Sequence, residues 1–328
     1  MSAGDGPWRR WVGVLSTREP ATVLALFRIA LGLICIHTVA DVWMSGVHEW
    51  VWVDRTEGGV IKIGKGHWLV RLLGGASLET TRSLMGLALG GGVSLVLGIG
   101  HRVGALVALQ AFIALFAMNP VSGGGHDKLI TNALWLVLLA PASETLSVWC
   151  RMRRGRWTSE RPVVAWPRYL IVFQIAVVYA MTGIQKLGPA WMPWGDFSAI
   201  YRSVLLPTWA RADWSLVAWV YPITQAATIA TWLWEVTWPL VLLSLWFRRT
   251  RSRPGWLRAT SNRLDLRTLY VVMGIGMHGT VEVLMNVGPF SVITMSYYLA
   301  CYHPDEVHRF GRWARTAMRR RERRPSQV

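Results

Sequence analysis

The chain is 328 residues long, 52% hydrophobic and only 16% charged, with a mean hydropathy of +0.31. This composition is too apolar for an ordinary soluble enzyme and indicates a membrane protein. Disorder and collagen-like or coiled-coil repeats are excluded, and three widely spaced cysteines without a C-x-x-C pair exclude a disulfide scaffold. The net charge of +17 is compatible with nucleic-acid binding, but loop arginines of a multi-span protein produce the same excess.

Eight apolar stretches predict membrane-spanning helices, because about 20 apolar residues are needed to cross the hydrocarbon core. The predicted fold class is therefore all-α, a polytopic integral membrane helix bundle of about eight transmembrane helices. In chain order the predicted spans are 21–42, 83–100, 104–119, 126–141, 168–185, 216–247, 268–285 and 289–302.

The stretch 216–247 is longer than one straight crossing requires, since 32 residues rise about 48 Å in a helix. Pro222 and Pro239 predict two places where it bends. If the stretch crosses once, 25 basic residues share one side of the membrane and nine lie on the other. The positive-inside rule then predicts a plasma membrane protein with both termini in the cytoplasm.

These spans divide the chain into a cytoplasmic segment 1–20, a transmembrane domain 21–306 and an arginine-rich cytoplasmic tail 307–328. A signal peptide at the N-terminus is disfavoured, because Arg28 interrupts the apolar stretch and no A-x-A-like site follows it. The arginine run 319–324 is compatible with RNA or anionic lipid, yet it is typical of a solvated topology determinant. With no nucleic-acid motif in the sequence, membrane lipids are the expected partners.

Small and aromatic residues have packing explanations. The glycines at 86, 90, 91 and 92 have the small-xxx-small spacing that lets another helix backbone approach closely. Many of the 21 tryptophans lie near predicted span ends, as interfacial anchors do.

Ionisable residues within the predicted spans are candidate functional groups. A charge in the bilayer costs about 2.5 kcal/mol or more, so Arg28, Glu235, His278 and Glu282 are expected to face the protein interior. His278 and Glu282 lie four residues apart and share a helix face, where a carboxylate can orient an imidazole or form a purely structural pair. We expect Arg28 to pair with an acid, either Glu235 or Glu282, and to fix helix packing.

A glycine-rich segment precedes the fourth predicted helix on the extracytoplasmic side. Gly125 follows two other glycines and is followed by His126, Asp127 and Lys128. Glycines let the backbone approach a ligand, and free N–H groups at a helix start can hold an anion. The same residue types also form an ordinary loop and helix start.

Lys186 ends the fifth predicted helix, at the outer interface. A lysine here is explained by snorkelling of its ammonium to water. However, every basic residue on the predicted cytoplasmic side is an arginine. Of the two residue types, only lysine can lose its proton when it is buried. We therefore expect Lys186 to act as a base, in a site where apolar burial and a neighbouring cation favour the neutral amine. We also expect His126 to lie on the same cavity wall.

Four ordered segments within residues 20–306 resemble the HTTM (horizontally transferred transmembrane) domain family, which includes the transmembrane part of vitamin K-dependent gamma-carboxylase. They are Phe27-Arg28-Ile29, Gly125-His126-Asp127-Lys128-Leu129, Gly183-Ile184-Gln185-Lys186-Leu187, and Met277-His278 continuing to Gly288-Pro289-Phe290-Ser291. The closing His303-Pro304-Asp305-Glu306 is similar to the family's final Pro-Glu.

The resemblance implies roles for two residues and a set of cofactors. Lys186 matches the lysine that deprotonates reduced vitamin K, and His126 matches the histidine that supports the intermediate. It also implies a lumenal, extracytoplasmic active site, a vitamin K-like menahydroquinone, and O2 and CO2 as cosubstrates. Two departures are visible: Gln185 stands where the carboxylase has a second lysine, and the chain ends soon after the last predicted span.

Two hypotheses follow, from different classes of protein. The first is a quinol-linked enzyme of the gamma-carboxylase type, a carbon–carbon bond-forming lyase that modifies a secreted peptide or protein. In it Lys186 is the base, His126 stabilises developing negative charge, and no metal is used. Candidate cofactor-binding residues are Gly125, Asp127, His278 and Glu235. The alternative is a non-catalytic scaffold or accessory factor for a secreted peptide or partner protein; a transporter is disfavoured, because inverted repeats are not evident.

Overall fold

The computed structural model describes residues 6–64 and 66–322, and these residues form an all-α structure with one small sheet. The first five residues of the predicted N-terminal segment and residues 323–328 of the predicted tail lie outside the described residues. The chain forms two compact units. The first contains the described residues up to Gly123, residues 130–169, and the described residues from Tyr302 onward; the second contains 124–129 and 170–301.

Helices account for nearly all of the regular structure. The α-helices are α1 Pro7–Leu15, α2 Thr22–Met44, α3 His48–Val51, α4 Trp68–Leu72, α5 Leu78–Leu97, α6 His101–Met118, α7 Gly125–Leu139, α8 Val148–Arg154, α9 Trp166–Gln185, α10 Ala199–Leu205, α11 Tyr221–Thr237, α12 Pro239–Arg249, α13 Trp256–Leu264, α14 Leu266–Leu284, α15 Phe290–Tyr297 and α16 Pro304–Glu322. Short 3-10 helices cover Arg55–Glu57, Pro120–Ser122, Pro189–Trp191, Ser215–Val220 and Tyr298–Cys301. Strands β1 Arg18–Pro20 and β2 Pro162–Val164 pair antiparallel.

The predicted fold class is confirmed, and each predicted span coincides with helical structure. Five helical segments in the described part of the chain are long and apolar enough to cross a membrane: Thr22–Met44, Leu78–Leu97, His101–Met118, Trp166–Gln185 and Ser215–Thr237. A shorter apolar helix covers Phe290–Cys301. The number of eight crossings therefore stays a prediction.

The long sixth stretch is broken where its prolines predict. Pro222 lies in the first turn of α11, and Pro239 is the first residue of α12. Proline has no N–H to donate and fits the first turn of a helix, where that donor has no partner. The chain therefore forms two helices around Trp238, whose side chain is completely buried.

The core of the first unit is the packing of α2 against α5 and of α5 against α6. A Cβ added at Gly32 would lie 2.7 Å from the carbonyl oxygen of Gly92, and one at Gly91 would lie 2.6 Å from that of Gly104. Side chains at these places would force the helices apart, so the predicted packing role is correct for Gly91 and Gly92. It is wrong for Gly86 and Gly90, where an added Cβ would meet open space.

Arg28 of α2 is completely buried in this core and is held by backbone carbonyls. Its guanidinium donates to the carbonyl oxygens of Leu95 and of Val96 (3.2 Å) in the last turn of α5. It also donates to Ala142 (3.0 Å) and Leu146 (2.6 Å) in the segment that follows α7. The expected ion pair with Glu235 or Glu282 is therefore wrong. The last carbonyls of a helix lack partners within the helix and form the negative end of its dipole, so they can replace a carboxylate.

A second buried arginine joins the starts of two predicted spans. Arg168 near the start of α9 donates from Nε (2.6 Å) and an Nη atom (2.8 Å) to the two carboxylate oxygens of Glu19, just before α2. Glu19 lies in β1 opposite Val163 of β2, and Arg168 follows β2 along the chain. A bidentate pair of this kind fixes both distance and orientation.

Replacing Arg28 by lysine tests the carbonyl cluster. A single ammonium cannot reach four carbonyls arranged around a planar guanidinium. We expect Arg28→Lys to lower the free energy of unfolding by about 3 kcal/mol, because buried acceptors lose their donors. The measurement is the melting temperature of the purified protein in detergent, with the exposed Arg71→Lys as control. Equal melting temperatures for the two variants would contradict this assignment.

Candidate functional site

Gly183 brings α9 close to α11 in the second unit. A Cβ added at Gly183 would lie 2.8 Å from the backbone nitrogen of Val236, and the indole N–H of Trp232 donates to the Gly183 carbonyl at 3.1 Å. One helical turn further on, Lys186 meets Glu235 of α11. Its Nζ lies 2.6 and 2.5 Å from the two carboxylate oxygens. The glycine therefore places the lysine of the G-x-x-K motif on a buried acid.

The surroundings of Lys186 differ in one respect from the prediction. The side chain is 20% exposed, and its Nζ also lies over the ring of Trp191, 4.2 Å from the centroid. Apolar burial is present, but the expected neighbouring cation is wrong: the nearest charged group is the carboxylate of Glu235. Lys186 is held as an ion pair inside an aromatic environment.

Tyr179 lies two helical turns before Lys186 and connects three elements. Its hydroxyl group is hydrogen-bonded to Nε2 of His278 on α14 (2.7 Å) and to the hydroxyl of Tyr298. Gly274 allows this contact, because a Cβ there would lie 2.4 Å from the Tyr298 hydroxyl oxygen. His278 and Glu235 are 2% and 5% exposed, so the prediction that both are buried is confirmed.

Aromatic rings surround this hydrogen-bonded group. The ring of Tyr179 lies 4.4 Å from that of Trp234, edge to face, and 5.3 Å from that of Trp238. On another side, the ring of Phe290 lies 5.6 Å from that of His278. Aromatic packing of this kind excludes water from the polar atoms at its centre.

Several buried polar atoms near these rings have no hydrogen-bond partner in the described part of the chain. They include Nδ1 of His278, Nε1 of Trp238 and Oγ of Ser291. Tryptophan Nε1 is always a donor, a hydroxyl both donates and accepts, and the role of histidine Nδ1 depends on the tautomer. Unsatisfied buried groups are rare in proteins, so these three atoms are candidates for contact with a ligand.

The His126 segment packs against the loop that leads into α15. Gly125 faces the ring of Phe290, where an added Cβ would lie 3.2 Å away, and Gly288 faces the ring of His126. Nε2 of His126 lies 3.0 Å from a carboxylate oxygen of Asp127. The other oxygen of Asp127 accepts from the N–H of Gly124 at 3.0 Å, so one glycine donor is used in the helix start. Gly125 thus packs on Phe290, whose ring lies beside that of His278.

Glu282 is separate from this arrangement. Its carboxylate accepts from Arg211 at 2.8 Å, and Arg211 also donates to the carbonyl of Met285. His278 is bound through Tyr179 instead, so the predicted orientation of the imidazole by Glu282 is wrong.

The loop after Lys186 is ordered around Asp196. Hydrogen bonds from the hydroxyl and backbone N–H of Ser198, and from Arg202, lower the pKa of Asp196 to about 2. Tyr221 and Gln225 donate to the carbonyl of Asp196, at 3.2 and 2.8 Å. These bonds tie the loop that carries Trp191 to α11.

Sequence reasoning selected Lys186, Glu235 and His278 but missed Tyr179, Tyr298, Trp191 and Ser291. An aromatic residue in an apolar helix is normally part of a core, and this explains why the tyrosines were overlooked. The spacing of seven between Tyr179 and Lys186 puts both on one helix face and was the available signal. No cluster of three or more His, Cys or acidic residues able to hold a metal is found among the described residues.

Apolar helices of spanning length, with ionisable residues turned inward, define an all-α integral membrane protein. The chain belongs to the HTTM domain family, whose family model matches residues 17–305. No curated protein and no solved structure matches the chain. The resemblance found in the sequence is confirmed, while the roles of Lys186, His126, Gly125, Asp127, His278 and Glu235 stay predictions.

Replacing Tyr179 by phenylalanine tests the central hydroxyl. The variant keeps the ring and leaves His278 and Tyr298 without their shared partner, so we expect a loss of about 1–3 kcal/mol in stability. The melting temperature in detergent measures this loss. Tyr201→Phe is the matched control, because its hydroxyl makes no hydrogen bond within the residues that the structure describes. A Tyr179→Phe protein as stable as the control would contradict the connecting role.

Proposed function

We propose that this HTTM-family protein is an extracytoplasmic-facing membrane enzyme of the gamma-carboxylase type, which uses a quinol-type cofactor to modify a peptide or protein. The observation that carries the proposal is the contact of Lys186 with Glu235 on the same helix face as the buried Tyr179–His278 group. A movable proton and a dry aromatic site are the two requirements of such chemistry.

We infer that a quinol ring would be held beside His278. Trp234, Trp238 and Phe290 offer aromatic faces and edges for a flat ring, while His278 Nδ1 and Ser291 Oγ are buried polar atoms suited to its two oxygens. When bound, a cofactor of this class supplies, by reaction with O2, a base strong enough to remove an unactivated proton, and CO2 is the further cosubstrate of a carboxylation. Gly125 and Asp127 belong to the segment that packs on Phe290, and they would hold the cofactor from that side.

Lys186 acts as the base through its partner. Burying an ammonium and a carboxylate together costs desolvation energy, and moving one proton from Nζ to Glu235 removes both charges. The neutral amine at Lys186 then accepts a proton from a bound hydroxyl group, while Glu235 retains the proton that it received. His126 donates to developing negative charge from its place beside Gly288.

The second candidate is a non-catalytic scaffold for a secreted peptide or partner protein. One observation favours it: the ammonium of Lys186 is already satisfied by both oxygens of Glu235 and by the ring of Trp191. A structural ion pair would have this geometry too, so the two functions must be separated by proton chemistry.

The variant Lys186→Arg separates the enzyme from the scaffold. Arginine keeps the positive charge and the pairing with Glu235 but cannot release its proton, so it preserves a scaffold and inactivates a base. With purified protein in nanodiscs, we expect menaquinol-dependent O2 uptake by wild type and a loss of at least about a hundredfold in Lys186→Arg, in keeping with general-base catalysis.

Quinone retention provides the control for folding. Quinone extracted from the Lys186→Arg protein should match wild type, because the aromatic residues are unchanged. Glu235→Gln should lose O2 uptake as well, since it removes the proton acceptor of Lys186. Full O2 uptake by Lys186→Arg, or no quinone binding by wild type, would favour the scaffold.

We further propose that both termini are cytoplasmic in the plasma membrane, on the basis of the distribution of arginine. The three native cysteines, Cys35, Cys150 and Cys301, are buried. Labelling by a maleimide therefore reports on an added surface cysteine. In intact cells, a membrane-impermeant maleimide should label Ser45→Cys and leave Ser252→Cys unlabelled, although both positions are exposed in the structure. Labelling of Ser252→Cys in sealed cells would reverse the orientation.

A further inference from the structure

The first unit contains a cavity that the proposed reaction does not use. It has a volume of about 320 Å³ and lies between the start of α6 and the segment that joins α7 to α8. Its lining includes His101, Arg102, Ser143 and Trp149. In the orientation proposed above, this end of the helices lies at the cytoplasmic surface.

The N-terminus of α6 opens into this cavity. The first N–H groups of any helix have no acceptor within the helix, and together with the helix dipole they favour an anion. In this 18-residue helix the N-cap is Gly100, which has a left-handed conformation (φ +52°) and provides no side-chain cap. The first three helical residues, including His101 and Arg102, line the cavity.

Ser143 provides an independent indication of a ligand. The residue lines the same cavity and is 3% exposed, and its Oγ is buried without a hydrogen-bond partner within the described part of the chain. A buried hydroxyl group without a partner costs free energy, which a ligand oxygen or a proton acceptor would recover.

The charges of the lining favour an anion. Arg102 is exposed and its side chain is able to turn toward a ligand. The acid of the lining, Glu144, accepts a hydrogen bond from Arg154 at 2.5 Å, so its negative charge is compensated. Arg28 holds the carbonyls of Ala142 and Leu146 on either side of Ser143, and this fixes the wall of the cavity before any ligand arrives.

We propose that this cavity binds a phosphate group, with the N–H groups of α6, the Ser143 hydroxyl and the Arg102 guanidinium as its ligands. The phosphate belongs either to the headgroup of an anionic lipid or to a free phosphate. Both sources present the same oxygens to the site, and Trp149 is 43% exposed, as is typical of a tryptophan that contacts lipid headgroups.

The test uses the full chain in an uncharged detergent. Binding of dioctanoyl phosphatidylglycerol, of dioctanoyl phosphatidylcholine and of inorganic phosphate is measured by calorimetric titration. We expect Ser143→Ala and Arg102→Gln each to raise the Kd for the anionic probe by about tenfold or more, as expected for loss of a charge-assisted hydrogen bond. Arg71→Gln removes an equal charge from an exposed position elsewhere and should leave this Kd unchanged.

The outcomes distinguish the source of the phosphate. Binding of phosphatidylglycerol alone, weakened by both variants, identifies a lipid headgroup, whereas binding of inorganic phosphate as well identifies the phosphate group itself. If Arg102→Gln fails to fold, the Kd of Ser143→Ala for the anionic probe alone tests the proposal. The proposal is overturned if neither anionic probe binds, if phosphatidylcholine binds as well as phosphatidylglycerol, or if the variants match wild type.

Discussion

A polar group inside a hydrocarbon layer cannot form hydrogen bonds with water and must find its partner within the protein. Much of this structure follows from that constraint. Arg28 draws the end of α5 and the segment after α7 around its guanidinium, and Arg168 binds Glu19 where two spans begin. In the second unit, Tyr179 joins His278 to Tyr298 in the same way. Each of these contacts fixes the position of helices that apolar packing alone would leave free to slide.

Three inward-facing cations of the described chain, Arg28, Arg168 and Lys186, use three different kinds of partner. Arg28 rests on carbonyl dipoles and Arg168 on a bidentate carboxylate; an arginine keeps its proton in either setting. Lys186 forms an ion pair with Glu235, and transfer of one proton from Nζ to the carboxylate would remove both charges. The two arginines, which are permanently charged, thus hold helices together, whereas the titratable Lys186 lies beside the ring of Trp191.

The sequence was sufficient to predict the helices, because the length of an apolar stretch and the position of proline are local properties. It was also sufficient to predict that Glu235 and His278 are buried, since the cost of exposing a charge to lipid does not depend on the fold. The partners were not predictable. Arg28 binds carbonyls, which every residue has and no sequence pattern marks. Lys186 and Glu235 are 49 residues apart, and only the approach of two helices brings them together.

That approach depends on a residue with no functional group. At Gly183 the backbone of α11 lies so close that a single methyl group would meet the nitrogen of Val236 at 2.8 Å. An alanine there would widen the gap between the helices and lengthen the contact of Lys186 with Glu235, one turn away. The distance between Lys186 and Glu235 is therefore set, in part, by the single hydrogen atom that Gly183 carries in place of a side chain on the lysine's own helix.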